Sequence, residues 1–271
     1  MTDPEGEIVS DFETLRYDIH DGLATISLNR PGKRNAVNAQ MFTDLGEAAA
    51  RASTDPGVRV ILVRGEGSSF CAGIDVNLMG QLAGSRGARF RTWVRGAQRG
   101  FHALATADKP TVAAVQGHAV GAGFQIALAC DLRIVADDVT MGMFEIKFSL
   151  VPDLGGNHRL TRLVGPARAK ELVWTGRPLD AAEAERIGLA NRVVSVDTLD
   201  KEAEAFAREL LASPPIPVSL AKSLIDRSFD QTLEAEFEQA AQAQTMCVET
   251  EDHREAVAAF MEKRPPRFQG R

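Results

Sequence analysis

Twice along this chain of 271 residues a run of strand-forming apolar residues empties into a turn of small residues and then into a helix. Val58 to Val63 leads into the turn from Gly65 to Gly73, and Pro110 to Gln116 leads into Gly117 to Gly123 and an apolar helix reaching Cys130. A nearly continuous apolar strand has no face to offer water, so both sides must be covered. Strands that alternate with helices in this way form mostly parallel sheets. Leu23 to Leu28, closed by the turn Asn29-Arg30-Pro31-Gly32, and Leu132 to Ala136 read as further strands. Asn38 is placed to cap a helix with apolar positions at Phe42, Leu45, Ala48 and Ala49, which Asp55-Pro56-Gly57 stops. Glycines at 80, 84 and 87 predict a flexible loop before a helix carrying Phe90, Val94, Ala97, Phe101 and Leu104. Beyond about residue 165, Ala167 to Thr175, Ala181 to Ile187, Leu199 to Ala212 and Pro217 to Met261 read as mostly helical. The expected organisation is α/β: a loose acidic tail over 1–12, a core over 13–200 and a helical region over 201–271.

Charge and composition exclude several functions. Lys and Arg number 31 against 37 Asp and Glu, a net charge of −6, whereas a nucleic-acid-binding chain carries a basic footprint. No stretch approaches the ~20 apolar residues of a membrane span, and Met1 to Glu13 lacks the basic start and apolar run of a secretion signal. The three cysteines, Cys71, Cys130 and Cys247, are too few and too scattered for a disulfide framework or a metal site. Neither nucleic acid nor membrane is expected as a partner, and a reduced, cytoplasmic chain is the expected setting. The histidines His20, His102, His118, His158 and His253 are dispersed, so no metal is expected. No G-x-S-x-G elbow is present, which argues against a serine hydrolase.

Chemistry concentrates at the turns. In Gln116-Gly117-His118-Ala119-Val120-Gly121-Ala122-Gly123-Phe124 a strand ends and a helix begins near Ala122. The first N–H groups of a helix lack internal partners and sit at its positive end, so they suit a developing oxyanion. Taken alone, the loop is also compatible with a phosphate cradle or a plain tight turn, although the glycines do not follow G-x-G-x-x-G. Phe70-Cys71-Ala72-Gly73-Ile74-Asp75 has the same grammar and offers a second donor at Ile74. Two such donors from successive units are suited to converge on one carbonyl oxygen.

Four motifs in this order, Asn29-Arg30-Pro31-x-Lys33-Arg34-Asn35-Ala36, Phe70-Cys71-Ala72-Gly73-x-Asp75, Val120-Gly121-Ala122-Gly123 and Val151-Pro152-Asp153-x-Gly155-Gly156, make the chain resemble the crotonase superfamily, the enoyl-CoA hydratase/isomerase family. The resemblance implies a crotonase-like spiral of ββα units with a helical C-terminal region that serves oligomerisation, in homotrimers or dimers of trimers. It implies an acyl-CoA thioester as substrate, with its enolate held by the backbone amides of Ile74 and Ala122. It further implies that Ala36, Ala72, Asp75, Val76 and Asn77 line the nucleotide and pantetheine path. Lys33 and Arg34 are placed to meet phosphate, and Lys263 is expected to join them, from this or a neighbouring subunit. No cofactor beyond the substrate's own CoA is implied.

Hydratases of this family carry two glutamates. The second falls on Glu145, while the first position holds Gln125, an amide that cannot exchange a proton near neutral pH. Losing one acid/base group typically costs ~10²–10⁴ in rate, so a single-base reaction is the expectation: double-bond isomerisation with Glu145 shuttling the proton and Asp153 assisting. Gln125 is expected on the helix surface or in the pocket wall. Read without the resemblance, Glu145 is equally a solvated acid beside Lys147, and Asp153 a turn former in Pro152-Asp153-Leu154-Gly155. The alternatives are an enoyl-CoA hydratase working with one acid/base and, from another class, a non-catalytic acyl-CoA-binding protein.

Overall fold

A computed structural model describes residues 12–82 and 84–271. The tail expected over residues 1–12 therefore lies, all but Phe12, outside the described residues. The chain opens with a hairpin, β1 (Leu15–His20) and β2 (Leu23–Leu28), paired antiparallel. Helix α1 (Ala39–Thr54) follows, its N-terminus capped by Asn38 Oδ1, which accepts from Met41 N at 2.9 Å. Then come β3 (Val60–Gly65), α2 (Val76–Leu82), α3 (Gly87–Ala105), β4 (Thr111–Val115), the short β5 (His118–Val120) and α4 (Ala122–Ala129). After β6 (Leu132–Ala136) and β7 (Thr140–Gly142), the helices α5 (Gly156–Val164), α6 (Pro166–Thr175) and α7 (Ala181–Arg186) precede the last strand, β8 (Arg192–Val194). Helices α8 (Leu199–Leu211), α9 (Pro215–Arg227), α10 (Leu233–Glu249) and α11 (Glu251–Glu262) complete the chain.

The large sheet runs β1-β2-β3-β4-β6-β8, and every pairing after the hairpin is parallel. Strands β2, β3, β4 and β6 each lead into a short extended segment, and these segments pair with one another or with Leu179: Val37 with Ile74, Cys71 with Ala119, β5 with β7, and Met141 with Leu179. These short pairs form the second layer of a spiral of ββα units. Alternate residues of β3 explain why it reads as one apolar run. Ile61 and Val63 face the main core with α1 and α4, while Val60 and Leu62 face the opposite side, covered by Leu199, Ala203 and Ala207 of α8.

The structure departs from these expectations at Gly80 and adds a strand at Leu15–His20. The segment with Gly80 is not a loop: it lies in α2, anchored by buried Leu78 and started by Asp75 Oδ1, which accepts from Asn77 N at 2.9 Å. A local side-chain bond and one buried apolar anchor outweigh a single helical glycine. The strand Leu15–His20 went unread, although Leu15-x-Tyr17-x-Ile19 alternates and Asp21-Gly22, with φ of 49° and 86°, is a favoured two-residue hairpin turn. Of the two places expected for Gln125, the helix surface and the pocket wall, the structure gives the second: all eight residues of α4 are buried and Gln125 lines a cavity.

Candidate active site

Two loops bring Ile74 and Ala122 together. Val37 N–H donates to Gly73 O at 2.7 Å, and Val37 O accepts from Asp75 N at 2.9 Å. In such a parallel bridge the residue between the two bonded neighbours turns its own N–H to the other side, so the Ile74 amide faces away from Val37. On that other side lies the 119–122 segment: a Cβ built on Gly73 would sit 3.0 Å from Val120 O and 4.0 Å from Ala122 N. Ala122 opens α4, so its N–H has no partner within the helix. Among the described residues neither amide donates to a protein acceptor. Gly121, at φ 54° and ψ −121°, makes the turn that a side chain resists.

Glu145 stands over this turn, at the start of a 3-10 turn, Glu145–Phe148. A Cβ on Gly121 would lie 3.4 Å from its Oε1. That oxygen accepts from Gln125 Nε2 at 2.7 Å, while the buried Oε2 has no partner among the described residues. Burial pushes the carboxyl above its ordinary range; its own backbone amide and Gln125 pull against this, and nearby Asp153 adds to the rise. Asp153 is also held up by burial. Gln125 has little freedom, since its Oε1 accepts from Leu154 N at 2.9 Å and from Gly156 N at 3.0 Å.

Glu145, Asp153, Gln125, Ile74 and Ala122 line one cavity of about 400 Å³. Ile74, Ala122, Glu145 and Asp153 are thus brought together, as the assignment of catalytic roles requires. The apolar wall of this cavity is drawn from α1, α2 and α3 and from the segment 148–154. The segment from Leu78 to Arg89, which the sequence suggests as shaping the pocket, supplies Met79 and Leu82, whereas Phe42 and Phe90 read in the sequence only as apolar helix positions.

The residues expected to hold CoA divide. Lys33 and Arg34 are exposed on the turn after β2, and Arg34 O accepts from Ala72 N at 2.9 Å, joining this turn to the Ile74 loop. Ala36 and Ala72 are half-buried beside it, and Val76 and Asn77 are exposed at the start of α2. The Asp75 carboxylate, however, is engaged inside the protein: it accepts from Arg30 Nη2 and Asn77 N, both at 2.9 Å, and these bonds hold it below the usual carboxylate range. Lys263 caps α11 in the left-handed region, exposed, and no contact among the described residues joins it to the others.

Two positioning residues were missed. The Arg30 guanidinium bonds both Asp75 and Ala36 O. Fully buried Asn35 accepts from Arg30 N at 2.8 Å and donates to Glu66 O and Ser69 O at 2.9 and 2.8 Å. Both stand inside the motif Asn29 to Ala36, which was the signal. Among the described residues no three His, Cys, Asp or Glu side chains gather as metal ligands, and no helix is long and apolar enough to cross a membrane.

Two backbone amides without protein acceptors and a buried carboxylate thus share one cavity of a spiral α/β fold. The chain belongs to the enoyl-CoA hydratase/isomerase family, whose model matches residues 18–271. It is 37% identical over 260 residues to a probable enoyl-CoA hydratase of Mycobacterium tuberculosis, covering 95% of this chain and 98% of that one. It is 33% identical over 258 residues to the crotonyl-CoA hydratase of Syntrophomonas wolfei, with 95% and 98% covered. The crystal structure of an enoyl-CoA hydratase from Bacillus anthracis matches with a TM-score of 0.90 at 32% identity, over 96% of this chain and 100% of that one. A Thermobifida fusca protein crystallised in complex with CoA matches with a TM-score of 0.79 at 36% identity, over 87% and 93%.

Proposed function

We propose that this acyl-CoA enzyme isomerises an enoyl-CoA double bond through a thioester enolate. The thioester oxygen sits between the Ile74 and Ala122 N–H groups, which makes the protons at C2 acidic. Glu145 Oε2 removes one of them from a 3-enoyl-CoA, the negative charge spreads onto the thioester oxygen, and the proton returns at C4, leaving a 2-enoyl-CoA. Asp153, across the same cavity, shares the proton. No group beyond the substrate's CoA is needed for this chemistry. Lys33 and Arg34 are assigned to its phosphates, with Lys263 joining from this or a neighbouring subunit.

The observation that carries this reading is the state of Gln125. Its carbonyl is occupied by two backbone amides and its amide by Glu145, so it neither ionises nor stands free to activate water. Hydration is the second reading, and the names of the relatives favour it over isomerisation; in it Glu145 alone serves as the acid/base toward the water. Purified protein given a 3-enoyl-CoA and, separately, a 2-enoyl-CoA tests the two. Conversion of the first without gain of water, and slow hydration of the second, is expected. Fast hydration overturns the isomerase reading.

The assembly we propose is a homotrimer or a dimer of trimers, built on the C-terminal helices. No residue of α9 or α10 is buried, and Ile225, Phe229, Leu233 and Phe237 are all more than 60% exposed. Sedimentation at three or six times the chain mass is expected, and a monomer overturns it. A cytoplasmic setting fits the unpaired Cys71, Cys130 and Cys247.

A further inference from the structure

The wall of the catalytic cavity is as specific as its floor. Phe42 of α1, Phe90 and Trp93 of α3, and Met79 and Leu82 of α2 enclose the side away from the backbone amides. The rings are packed as a unit: Trp93 meets Phe42 edge-on with centroids 5.6 Å apart, and stacks on Phe90 at 6.2 Å and 18°. At the mouth, Phe148, Leu150 and Val151 are 59%, 47% and 67% exposed. Among the described residues, Gln125, Glu145 and Asp153 are the only charged or amide side chains lining this cavity. All three belong to the catalytic end, so the wall offers no charge and no side-chain acceptor to the far end of an acyl group, and its one side-chain donor is the Trp93 indole N–H.

From this wall we infer that the enzyme takes an uncharged hydrocarbon acyl group well beyond four carbons, a medium-length chain or an aryl group of the same bulk. The inference rests on the acyl-CoA reading of the site. A cavity of about 400 Å³ holds roughly a dozen waters at ~30 Å³ each. With a methylene taken as about the size of a water, a four-carbon acyl group leaves more than half of that volume unfilled. Each further methylene buried against the wall raises affinity by about fourfold until the cavity is full.

Saturated acyl-CoAs of four to fourteen carbons, with phenylacetyl-CoA and free CoA alongside, test this by calorimetry, without any need for turnover. Affinity is expected to climb about three- to fourfold per carbon from C4 and to level off near C8 to C12. Phe148→Ala, which removes an exposed ring at the mouth, should flatten the upper part of that climb and leave C4 binding unchanged. Trp93→Ala should flatten it further. Phenylacetyl-CoA binding as tightly as the best straight chain would identify the aryl form of the same class, and weaker binding the aliphatic one. Affinity that is flat with chain length, or highest at C4, overturns the inference while leaving the acyl-CoA reading standing. Binding of no acyl-CoA more tightly than free CoA overturns both.

Discussion

Gln125 Nε2 meets Glu145 Oε1 at 2.7 Å, and the other end of the same amide is locked by the N–H groups of Leu154 and Gly156. The two backbone donors fix which end of the amide is oxygen, so the nitrogen has to face the glutamate. Gln125 therefore holds one oxygen of Glu145 and leaves Oε2 without a partner among the described residues.

This arrangement predicts opposite outcomes for two substitutions. In Gln125→Glu one carboxylate oxygen still accepts from Leu154 and Gly156, while the other shares a proton with Glu145. The site then holds the second acid/base group, and hydration of a 2-enoyl-CoA should rise about 10²-fold, the lower end of what such a group contributes. In Gln125→Ala the bond that favours ionised Glu145 is gone. The acid limb of kcat/KM, already above the ordinary glutamate value of ~4.3 because of burial, should move to still higher pH. Stopped-flow pH profiles decide this, and an unmoved limb would show that Glu145 is not the titrating base.

Removing the base itself separates catalysis from binding. Glu145→Gln keeps the size of the side chain and offers its amide to Gln125, but it cannot take a proton. The value of kcat should fall by ~10²–10⁴, while the affinity for a saturated acyl-CoA stays within about threefold, since the substitution keeps the side chain's size and its bond to Gln125. Retained turnover would move the role of base to Asp153.

How much of this was legible beforehand follows from what each residue depends on. Asn38, Ile74 and Ala122 depend on local grammar, a cap or a strand leading through glycines into a helix, and local grammar is written in consecutive letters. The burial of Gln125 is not. It arises because α4 is enclosed on all sides, and because its oxygen is claimed by residues 154 and 156, which reach it only through the turn of the spiral. The apolar wall is likewise assembled from α1, α2 and α3, whose apolar positions announce a helix face without saying which cavity it encloses. Asp75 shows the remaining gap. Its place in a motif suggested contact with substrate, whereas its carboxylate is turned inward to Arg30.

That inward pair predicts a stability effect with a defined pH sign. Asp75 is nearly buried, and its pKa lies below the ordinary value, chiefly through Asn77 N–H and then Arg30. A lowered native pKa contributes stability that is present above the unfolded value of ~3.9 and lost as pH falls through the native one. Asp75→Asn should therefore lower the unfolding free energy at pH 7 by about 1.5–3 kcal/mol, the range for hydrogen bonds to charged groups. The gap from the parent should close as urea melts are taken toward pH 3. A gap that persists undiminished there would mean that packing, not charge, holds the Ile74 loop.

Gly121 offers the sharpest test of the proposed oxyanion site, because the groups assigned to it are backbone and cannot be deleted. Its φ of 54° with ψ of −121° is a conformation that L-residues avoid, and a Cβ would stand 3.4 Å from Glu145 Oε1. Gly121→Ala must either strain this turn, at a cost of about 1–3 kcal/mol, or rotate it. Rotation swings the Ala122 N–H off the thioester oxygen and pushes the base aside. Losing one such donor costs ~10²–10³ in rate, so kcat should fall by at least that factor. KM should change little, because the ground-state carbonyl draws less from the amide than the enolate does. A difference infrared spectrum of bound acyl-CoA supplies the second readout: the thioester carbonyl band, shifted to lower frequency by two donors, should move back toward its solution position. If the band moves back and kcat nevertheless holds, Ala122 N–H is not part of the hole; a band and kcat both unmoved, with lowered stability, mean that the turn took the strain without rotating.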